Sequence, residues 1–284
     1  MDEIKMISIN QLYPFKNHPF RVETNRELYE LMRSIEREGV LVPLLARPRS
    51  NGAGYELISG HRRAKASDLA GLTEVPVVIR EMTDDQAVIA MVDSNLQREH
   101  LLPSEKAYAY KMKLEAMNHQ GKRIEDETSV QVEPKQNNTR SNEMLAKQVG
   151  ESVAQIKRYI RLTNLIPKIL DMVDKGVIAF TPAVELSYLT EEEQYELHAV
   201  MDMEQCTPSL SQATEMKALS RQGKLDMDAV FGILEREKPN QREQIKIRAD
   251  MLDRYFPDSY TPQQKVEIIE KLVKDWHESQ VKRK

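Results

Sequence analysis

The stretch that decides the fold is Leu57–Ile58–Ser59–Gly60–His61–Arg62–Arg63–Ala64–Lys65–Ala66, in which an apolar segment passes through a glycine into a basic helix start. Tyr55–Ser59 predicts a β-strand, and Arg62–Ala70 predicts a helix that Gly71 ends. A strand that turns through glycine into a helix presents backbone N–H groups and the positive end of the helix dipole to one point. We therefore expect an anion such as phosphate to bind at Gly60.

The first turn of this predicted helix carries three basic side chains, Arg62, Arg63 and Lys65. Cations at a helix N-terminus are electrostatically unfavourable unless an anion compensates them. The sequence lacks the Gly-x-x-x-x-Gly-Lys-Ser/Thr pattern, so the site is not a Walker A loop. A basic first turn on an ordinary surface helix is the alternative interpretation.

The segments around this stretch alternate between strand-like and helix-like patterns. Capping-box patterns, Thr24 with Glu27 and Thr83 with Gln86, predict two further helix starts. Together these segments predict an α/β front domain over residues 1–102. The further strands are predicted at Met6–Leu12, Val40–Arg47 and Val75–Arg80.

No convincing strand pattern follows Leu102, and the rest of the chain is predicted to be helical. Residues 121–141 lack a periodic apolar pattern, which predicts a mobile connection of about 20 residues, a length unusual inside a compact domain. We expect a helical domain over 103–237 and, over 238–284, two helices separated by Pro257–Pro262. An apolar stripe in this tail serves either as core or as a dimer face: Val266, Ile269, Leu272, Val273 and Trp276.

The clearest binding motif is a helix-turn-helix pattern at Asn142–Leu162, with Gly150 at the turn. Between Arg140 and Arg161, five basic residues stand against two acidic ones, a net charge of +3 in a chain whose net charge is −4. Glutamine and arginine read base edges, while lysine and serine bind phosphates. An ordinary amphipathic helix pair is the alternative. The inner faces are predicted at Leu145, Ala146, Val149, Ile156, Tyr159 and Ile160. The candidate DNA-binding residues are Ser152, Gln155, Lys157, Arg158 and Arg161.

Composition excludes several classes of protein. The 284 residues include 41 Lys+Arg and 45 Asp+Glu, which excludes a uniformly basic nucleic-acid-binding chain but allows a local basic patch. Cys206 is the only cysteine, so neither an intramolecular disulfide nor a cysteine-rich zinc site forms. No apolar run approaches the ~20 residues that span a bilayer, and the sequence predicts a cytoplasmic protein without a membrane partner.

Three stretches together resemble the ParB/Spo0J/RepB family of chromosome- and plasmid-partition proteins. Leu57–Ala66 is similar to the family's Gly-Glu-Arg-Arg-x-Arg-Ala phosphate motif, and Asp93–Glu99 is similar to its Glu-Asn-Leu-Gln-Arg motif. Met144–Leu162 is similar to its helix-turn-helix. The resemblance covers about residues 6–200. It implies an α+β chain with a ParB/sulfiredoxin-like α/β domain, an all-helical helix-turn-helix domain and a helical C-terminal tail.

The resemblance implies a DNA clamp that binds CTP. Carried over to this chain, the glycine and arginines of the first motif hold phosphates, and Asn95 contacts the nucleotide. Gln97 is a further candidate, and Pro19–Phe20–Arg21 matches the family's first conserved box in a shorter form. The candidate nucleotide-binding residues are Gly60, His61, Arg62, Arg63, Asn95 and Arg98.

Two positions depart from the family's pattern. His61 stands where glutamate is usual, and Ser94 stands where the metal-binding glutamate is usual, one residue after Asp93. Serine is a poor Mg²⁺ ligand, because hard cations prefer carboxylate oxygens. Mg²⁺ binding is therefore left open, no metal ligand or catalytic residue is assigned, and CTP hydrolysis is expected to be weak or absent.

The expected function is a segregation protein that recognises a specific DNA site, forms a CTP-gated homodimeric clamp, and works with a ParA-type ATPase on the nucleoid or a plasmid. One alternative is a transcriptional regulator of a mobile element. Another is a ParB-like nuclease, for which Asp93, Glu99 and Glu105 are the unpersuasive carboxylate candidates. A sulfiredoxin-type activity is discounted, because no cysteine lies beside the phosphate motif.

Overall fold

The computed structural model describes residues 3–50, 52–98, 100–127, 134–236, 255–256 and 260–281. The chain forms two compact units, Met1–Arg236 and Glu237–Lys284. The first unit begins with a mixed sheet and its helices and continues into a purely helical region among the described residues. This order confirms the α+β class predicted from the sequence.

The sheet has five short strands in the order β1-β5-β3-β4-β2. β3 pairs antiparallel with β4 and parallel with β5, which places it at the centre of the sheet. The strand predicted at Met6–Leu12 is wrong as one element, because β1 and β2 lie at opposite edges and a 3-10 turn, Ile9–Gln11, separates them. The strands are β1 (Ile4–Ser8), β2 (Leu12–Pro14), β3 (Leu44–Pro48), β4 (Tyr55–Ser59) and β5 (Glu74–Ile79).

The strand predicted at Val40–Arg47 begins only at Leu44, directly after Pro43. Proline lacks the backbone N–H that a ladder needs, so it stands outside the strand. Leu41 and Val42 are exposed rather than buried in the sheet. The segment before β3 is therefore a surface loop that reaches the start of the central strand.

Two helices, α2 (His61–Leu69) and α3 (Asp84–Leu96), contact the sheet, and α1 (Arg26–Glu38) packs against α2. The capping box of Thr83 with Gln86 at the start of α3 is confirmed. The capping box predicted at Thr24 is wrong. Instead Asn25 caps α1 by accepting the N–H of Leu28 at 3.0 Å, because asparagine is at least as good an N-cap as threonine.

The helical region that follows is organised around one long helix, α4 (Pro103–Glu127), which contacts both α3 and α6. The largest buried cluster of this helical region lies mostly further along the chain than α4 and includes Ile169, Leu186, Leu197 and Met216. The remaining helices of this unit are α5 (Pro134–Val149), α6 (Val153–Arg161), α7 (Pro167–Asp174), α8 (Phe180–Leu186), α9 (Glu191–Glu204), α10 (Leu210–Arg221) and α11 (Met227–Leu234).

The mobile connection predicted at 121–141 is wrong wherever the structure describes the segment. α4 continues to Glu127, and α5 already begins at Pro134. Lysine, arginine, glutamate and glutamine have high helix propensity, so a polar segment extends a helix without any apolar face. Residues 128–133 lie outside the described residues.

The second unit contains α12 (Pro262–Val281) among its described residues. Thr261 and Gln264 exchange capping hydrogen bonds of 2.8 and 3.3 Å at its start. Leu272, Val273 and Trp276 of the predicted apolar stripe are exposed within this unit. The first predicted tail helix and the side chain of Val266 lie outside the described residues. Among the helices described in both units, none has the length and apolar character needed to cross a membrane.

Candidate functional site

Gly60 forms the turn between β4 and α2, in the left-handed conformation with φ 100° and ψ 22°. A Cβ at this position would lie 3.0 Å from Cγ of Leu44 and 3.3 Å from Nη2 of Arg63. Glycine is therefore required both by the backbone conformation and by the close approach of β3. The first N–H groups of a helix have no intrahelical acceptor, and Gly60 offers no side-chain cap, so these donors are available to an anion.

The two arginines of this helix start are engaged by protein groups. Arg62 donates to Oε2 of Glu27 at 3.0 Å, and the carboxylate of Glu27 is 74% exposed. Arg63 donates to the carbonyl oxygens of Val42 and Pro43, the latter at 2.9 Å. Because an exposed ion pair contributes little stability, a bound phosphate can replace Glu27 as the partner of Arg62 at small cost.

Arg98 lies just beyond α3, with its guanidinium 5.7 Å from the ring centroid of Phe20. Burial lowers the pKa of Arg98, the charge of Glu105 opposes this, and the nearby charge of Arg62 adds to it. Two residues that are distant in the sequence, Arg62 and Arg98, thus share one electrostatic environment. This arrangement agrees with the prediction that both belong to one anion site, and their contact with a nucleotide stays a prediction.

The predicted box Pro19–Phe20–Arg21 is held against the helical region. Buried Glu105, at the start of α4, accepts the backbone N–H of Arg21 at 2.8 Å. The guanidinium of Arg21 lies 3.3 Å from Asp174 at the end of α7. Asp174 also accepts the hydroxyl of Ser104 at 2.6 Å. A hydrogen bond and an ion pair therefore join the loop of Phe20 and Arg21, beside Arg98, to the first turn of α4 and to the end of α7.

His18 and His61 are stacked beside this loop, with ring centroids 3.8 Å apart and an interplanar angle of 43°. Burial lowers the pKa of both imidazoles, and the charge of Arg98 lowers both further. For His61 the pKa falls to about 3. No sequence motif identifies His18, whose only signal is its position directly before Pro19.

Asn95 is buried beneath α3, whereas the neighbouring Ser94 is exposed. Asn95 is 4% exposed, and its amide donates to the carbonyl of Met91 at 2.8 Å. The hydroxyl of Ser94 donates to the same carbonyl at 2.9 Å. The predicted nucleotide contact of Asn95 would require this amide to exchange partners, and it stays a prediction.

Asp93 belongs to a polar network between helices. Its carboxylate accepts hydrogen bonds from Lys113 of α4 and from Gln148 of α5, the latter at 2.9 Å. Lys113 is almost fully buried, so this network fastens α3 and α5 to α4. Over the part of the chain that the structure describes, no three His, Cys, Asp or Glu residues form a group that could hold a metal ion.

The predicted helix-turn-helix is formed by α5, a turn at Gly150 with φ 69°, and α6. Leu145 and Ile156 are fully buried, as the inner-face pattern predicted. Ser152 is the N-cap of α6 and accepts the N–H of Gln155 at 3.1 Å. These interactions fix the orientation of α6, whose N-terminal end and outer side face solvent at Ser152 and Lys157.

The two arginines of α6 are partly held by α8 and the residues after it. Arg158 donates to Oγ1 of Thr181 at 2.9 Å, and Arg161 donates to the carbonyl of Ser187 at 2.9 Å. Arg158 also donates to the side chain of Gln155 at 3.3 Å. The predicted DNA-binding residues therefore fall into two groups, with Ser152 and Lys157 exposed and the other three half-buried.

A further group of cations lies beside α6, around the half-exposed ring of Tyr188. The cationic groups of Arg161, Lys217 and Arg221 lie 3.9, 3.7 and 5.8 Å from its centroid. Glu185 accepts from Lys217 at 2.7 Å and offsets part of this charge. We call Arg161, Tyr188, Lys217 and Arg221 the Tyr188 cluster. No local sequence pattern predicts it, because the side chains of α6 and α10 meet at Tyr188 only through the packing of both helices against α8.

A basic glycine turn on a mixed sheet, followed along the chain by a helix-turn-helix, defines a class of two-part proteins with a candidate anion site and a nucleic-acid-binding motif. Residues 1–96 match the family model of the ParB N-terminal domain, and residues 122–218 match that of the ParB HTH domain. The chain belongs to the ParB family.

The curated relatives described below are named as chromosome- or plasmid-partitioning proteins. A probable chromosome 1-partitioning protein of Deinococcus radiodurans is 33% identical over 221 residues, which cover 78% of this chain and 66% of the relative. A probable plasmid-partitioning protein of the same organism is 30% identical, covering 68% of this chain and 67% of the relative. The chromosome-partitioning protein Spo0J of Thermus thermophilus is 32% identical, covering 66% and 61%. The chain thus spans about two thirds of the length of these relatives.

Solved structures with some likeness to this chain include the C-terminally truncated chromosome-partitioning protein ParB of Caulobacter crescentus. In complex with the centromeric parS site it has a TM-score of 0.41 and 22% identity, and covers 77% of this chain and 99% of its own. In complex with CTP-gamma-S it has a TM-score of 0.32 and 24% identity, with coverages of 66% and 94%.

Proposed function

We propose that this chain is a partition protein that binds a specific DNA site through its helix-turn-helix and closes on DNA when CTP occupies the anion site at Gly60. The observation that carries the proposal is that one compact unit holds both candidate sites, with α4 in contact with α3, which precedes Arg98, and with α6. The curated relatives, named chromosome- and plasmid-partitioning proteins, point in the same direction.

The chemistry around Gly60 supports a triphosphate as the ligand. The start of α2 supplies backbone N–H groups, and positive charge comes from Arg62 and Arg63 on α2 and from Arg98 just beyond the end of α3. Charge-assisted hydrogen bonds from arginine to phosphate are among the strongest in proteins. A single phosphate would not need cations from both of these segments, whereas a chain of three phosphates can contact them all.

The outer side of α6 supports duplex DNA as the second ligand. Lys157 is exposed on this side, and Gln155 lies within its first turn, where recognition helices contact base edges. The Tyr188 cluster adds positive charge beside the C-terminal end of α6, which supports contact with the phosphates that flank a bound site. Base contacts by Arg158 would require release of its hydrogen bond to Thr181.

The connections of Arg21 suggest how occupation of one site changes the other. The loop of Phe20 and Arg21 contacts Arg98 on one side, and Glu105 and Asp174 on the other. A nucleotide that binds Arg98 therefore acts on the start of α4 through few intermediates. Closure follows only if CTP binds the closed state more tightly than the open one, since equal affinity shifts nothing.

Slow turnover is part of the proposal. Ser94 offers a hydroxyl that already donates to Met91, and Asp93 is occupied by Lys113 and Gln148. Neither residue presents a free carboxylate for Mg²⁺, so we expect CTP hydrolysis to be slower than in relatives with glutamate at position 94. The same engagement of Asp93, together with that of Glu105, argues against the nuclease alternative; Glu99 lies outside the described residues.

Several further features belong to this proposal. We propose a homodimer, for which the apolar stripe of α12 is one candidate face. We also propose a ParA-type ATPase as a partner, and residence on the nucleoid or a plasmid. The division into domains at residues 1–102, 103–237 and 238–284 is proposed on the same basis. A transcriptional regulator would bind a single operator, whereas a partition protein spreads to DNA beyond its site.

The test begins with selection of the preferred duplex from a random pool, followed by calorimetry with each of the four nucleoside triphosphates in the presence and absence of that duplex. We expect CTP binding, and Arg62→Ala should abolish it while DNA recognition persists. Lys65→Ala is the matched control, because Lys65 lies on the same helix but pairs with Asp68. Failure of all four nucleotides to bind would contradict the proposal.

A further inference from the structure

The stacked histidines contain two polar atoms with no partner among the described residues. Nε2 of His18 and Nε2 of His61 are both buried without a hydrogen bond. His18 is brought into position by Asn17, which adopts a left-handed φ of 58° that asparagine tolerates better than most residues. Buried polar atoms without partners are rare in proteins and require a physical explanation.

The hydrogen bonds of the other ring nitrogens fix the tautomers. Nδ1 of His18 lies 2.7 Å from the carbonyl oxygen of Phe20, and a ring nitrogen of His61 bonds the carbonyl of Leu57. A carbonyl only accepts, so Nδ1 of each ring carries the proton. A neutral imidazole has one N–H, and therefore both Nε2 atoms are bare lone pairs.

The charged groups around the two histidines determine which kind of ligand their Nε2 atoms can bind. Arg98 faces both rings, Arg62 lies near Arg98, and Glu105 is the acidic group that faces His18. Glu105 already accepts two backbone N–H groups, from Arg21 and Leu102. The net field is positive, which disfavours a metal cation and disfavours protonation of the rings until an anion arrives.

We propose that His18 and His61 bind a phosphate group of the triphosphate through Nε2, and that the pair takes up one proton from solvent when it does so. The proton converts one lone pair into an N–H donor aimed at a phosphate oxygen. The inference rests on the proposed triphosphate site. A single proton is expected, because two adjacent imidazolium rings repel each other.

Proton uptake makes binding dependent on pH. An anion cancels the repulsion from Arg62 and Arg98, so the pKa of the pair is higher in the complex than in the free protein. Affinity for triphosphate then rises as pH falls from 8 to 6, by at most about tenfold per pH unit for one proton. If both rings instead stayed neutral in the complex, His18 and His61 would contribute nothing to the change in affinity between pH 8 and pH 6.

The experiment is calorimetry of CTP, and of inorganic triphosphate, in several buffers of different ionisation enthalpy at pH 6.5. The dependence of the heat on that enthalpy gives the number of protons taken up. The ligand titrates too, so uptake is compared between the wild-type protein and His18→Gln or His61→Gln. We expect about one proton fewer and weaker binding in both variants, while His198→Gln on α9, outside this pair, behaves as wild type.

Nuclear magnetic resonance of the histidine Cε1–H groups reports on protonation of the pair in the wild-type protein, without any variant. We expect CTP to raise the pKa of the His18–His61 pair. Triphosphate binding with equal proton uptake in all proteins would overturn this inference and leave the proposed function intact. Absence of any triphosphate binding would overturn both. Zn²⁺ binding that both variants abolish and that triphosphate does not affect would replace the anion site by a metal site.

Discussion

Replacing Gly60 by alanine places a Cβ 3.0 Å from Cγ of Leu44 and 3.3 Å from Nη2 of Arg63, at a backbone φ of +100°. The left-handed conformation costs an L-residue about 1–2 kcal/mol. Overpacking a filled core costs about 1–3 kcal/mol more, and Leu44 is fully buried in the central strand. We therefore expect Gly60→Ala to reduce the free energy of unfolding by about 2–5 kcal/mol.

Gly71→Ala is the matched control, because Gly71 lies beyond the other end of the same helix at φ +75° with nothing within 4 Å of its virtual Cβ. It should cost only the backbone part, about 1–2 kcal/mol. Urea unfolding, monitored by circular dichroism, measures the loss of unfolding free energy in both variants. Since the Arg63 guanidinium must also move, Gly60→Ala should weaken triphosphate binding and Gly71→Ala should not. Equal losses of stability, with triphosphate affinity unchanged, would refute this reading of the turn.

Three further predictions concern single side chains. Lys157→Ala should lower the slope of log affinity for DNA against log salt by about one, and an unchanged slope in gel shifts would remove Lys157 from the interface. Glu27→Gln frees Arg62 from an exposed ion pair and should raise triphosphate affinity by up to about fivefold, measured by calorimetry; weaker binding would contradict competition. Burial holds the pKa of His61 at about 3 against 6.5 for an exposed histidine, so its neutral form contributes stability above pH 6.5 that is lost as pH falls. Urea midpoints of His61→Gln should therefore decline less than those of the wild type between pH 7 and pH 5, and parallel declines would contradict this.

Features set by neighbouring residues could be predicted from the sequence. The β4–Gly60–α2 turn depends on an apolar strand, a glycine and a helix former in succession, and the structure forms it where predicted. The capping box of Thr83 and the buried face of the helix-turn-helix follow from spacing alone. Such signals fail where two residues compete for one role, as when Asn25 rather than Thr24 caps α1.

Features set by tertiary contacts could not be predicted. His18 meets His61 only because the first loop folds over the start of α2, and Asp93 meets Gln148 only because α5 packs on α4. The Tyr188 cluster likewise depends on the approach of α10 to α8. In each case single-sequence periodicity identifies the helix but carries no information about which distant side chain faces it.

If CTP closes the protein around DNA, the closed protein should be retained on DNA that has no free ends. The selected site is placed in a closed circle or in a linear duplex of the same sequence, and bound protein is washed with high salt, with and without CTP. We expect CTP-dependent retention on the circle, loss from the linear duplex, and no retention of Arg62→Ala on either DNA. Equal retention on both DNAs, or retention that ignores CTP, would contradict it.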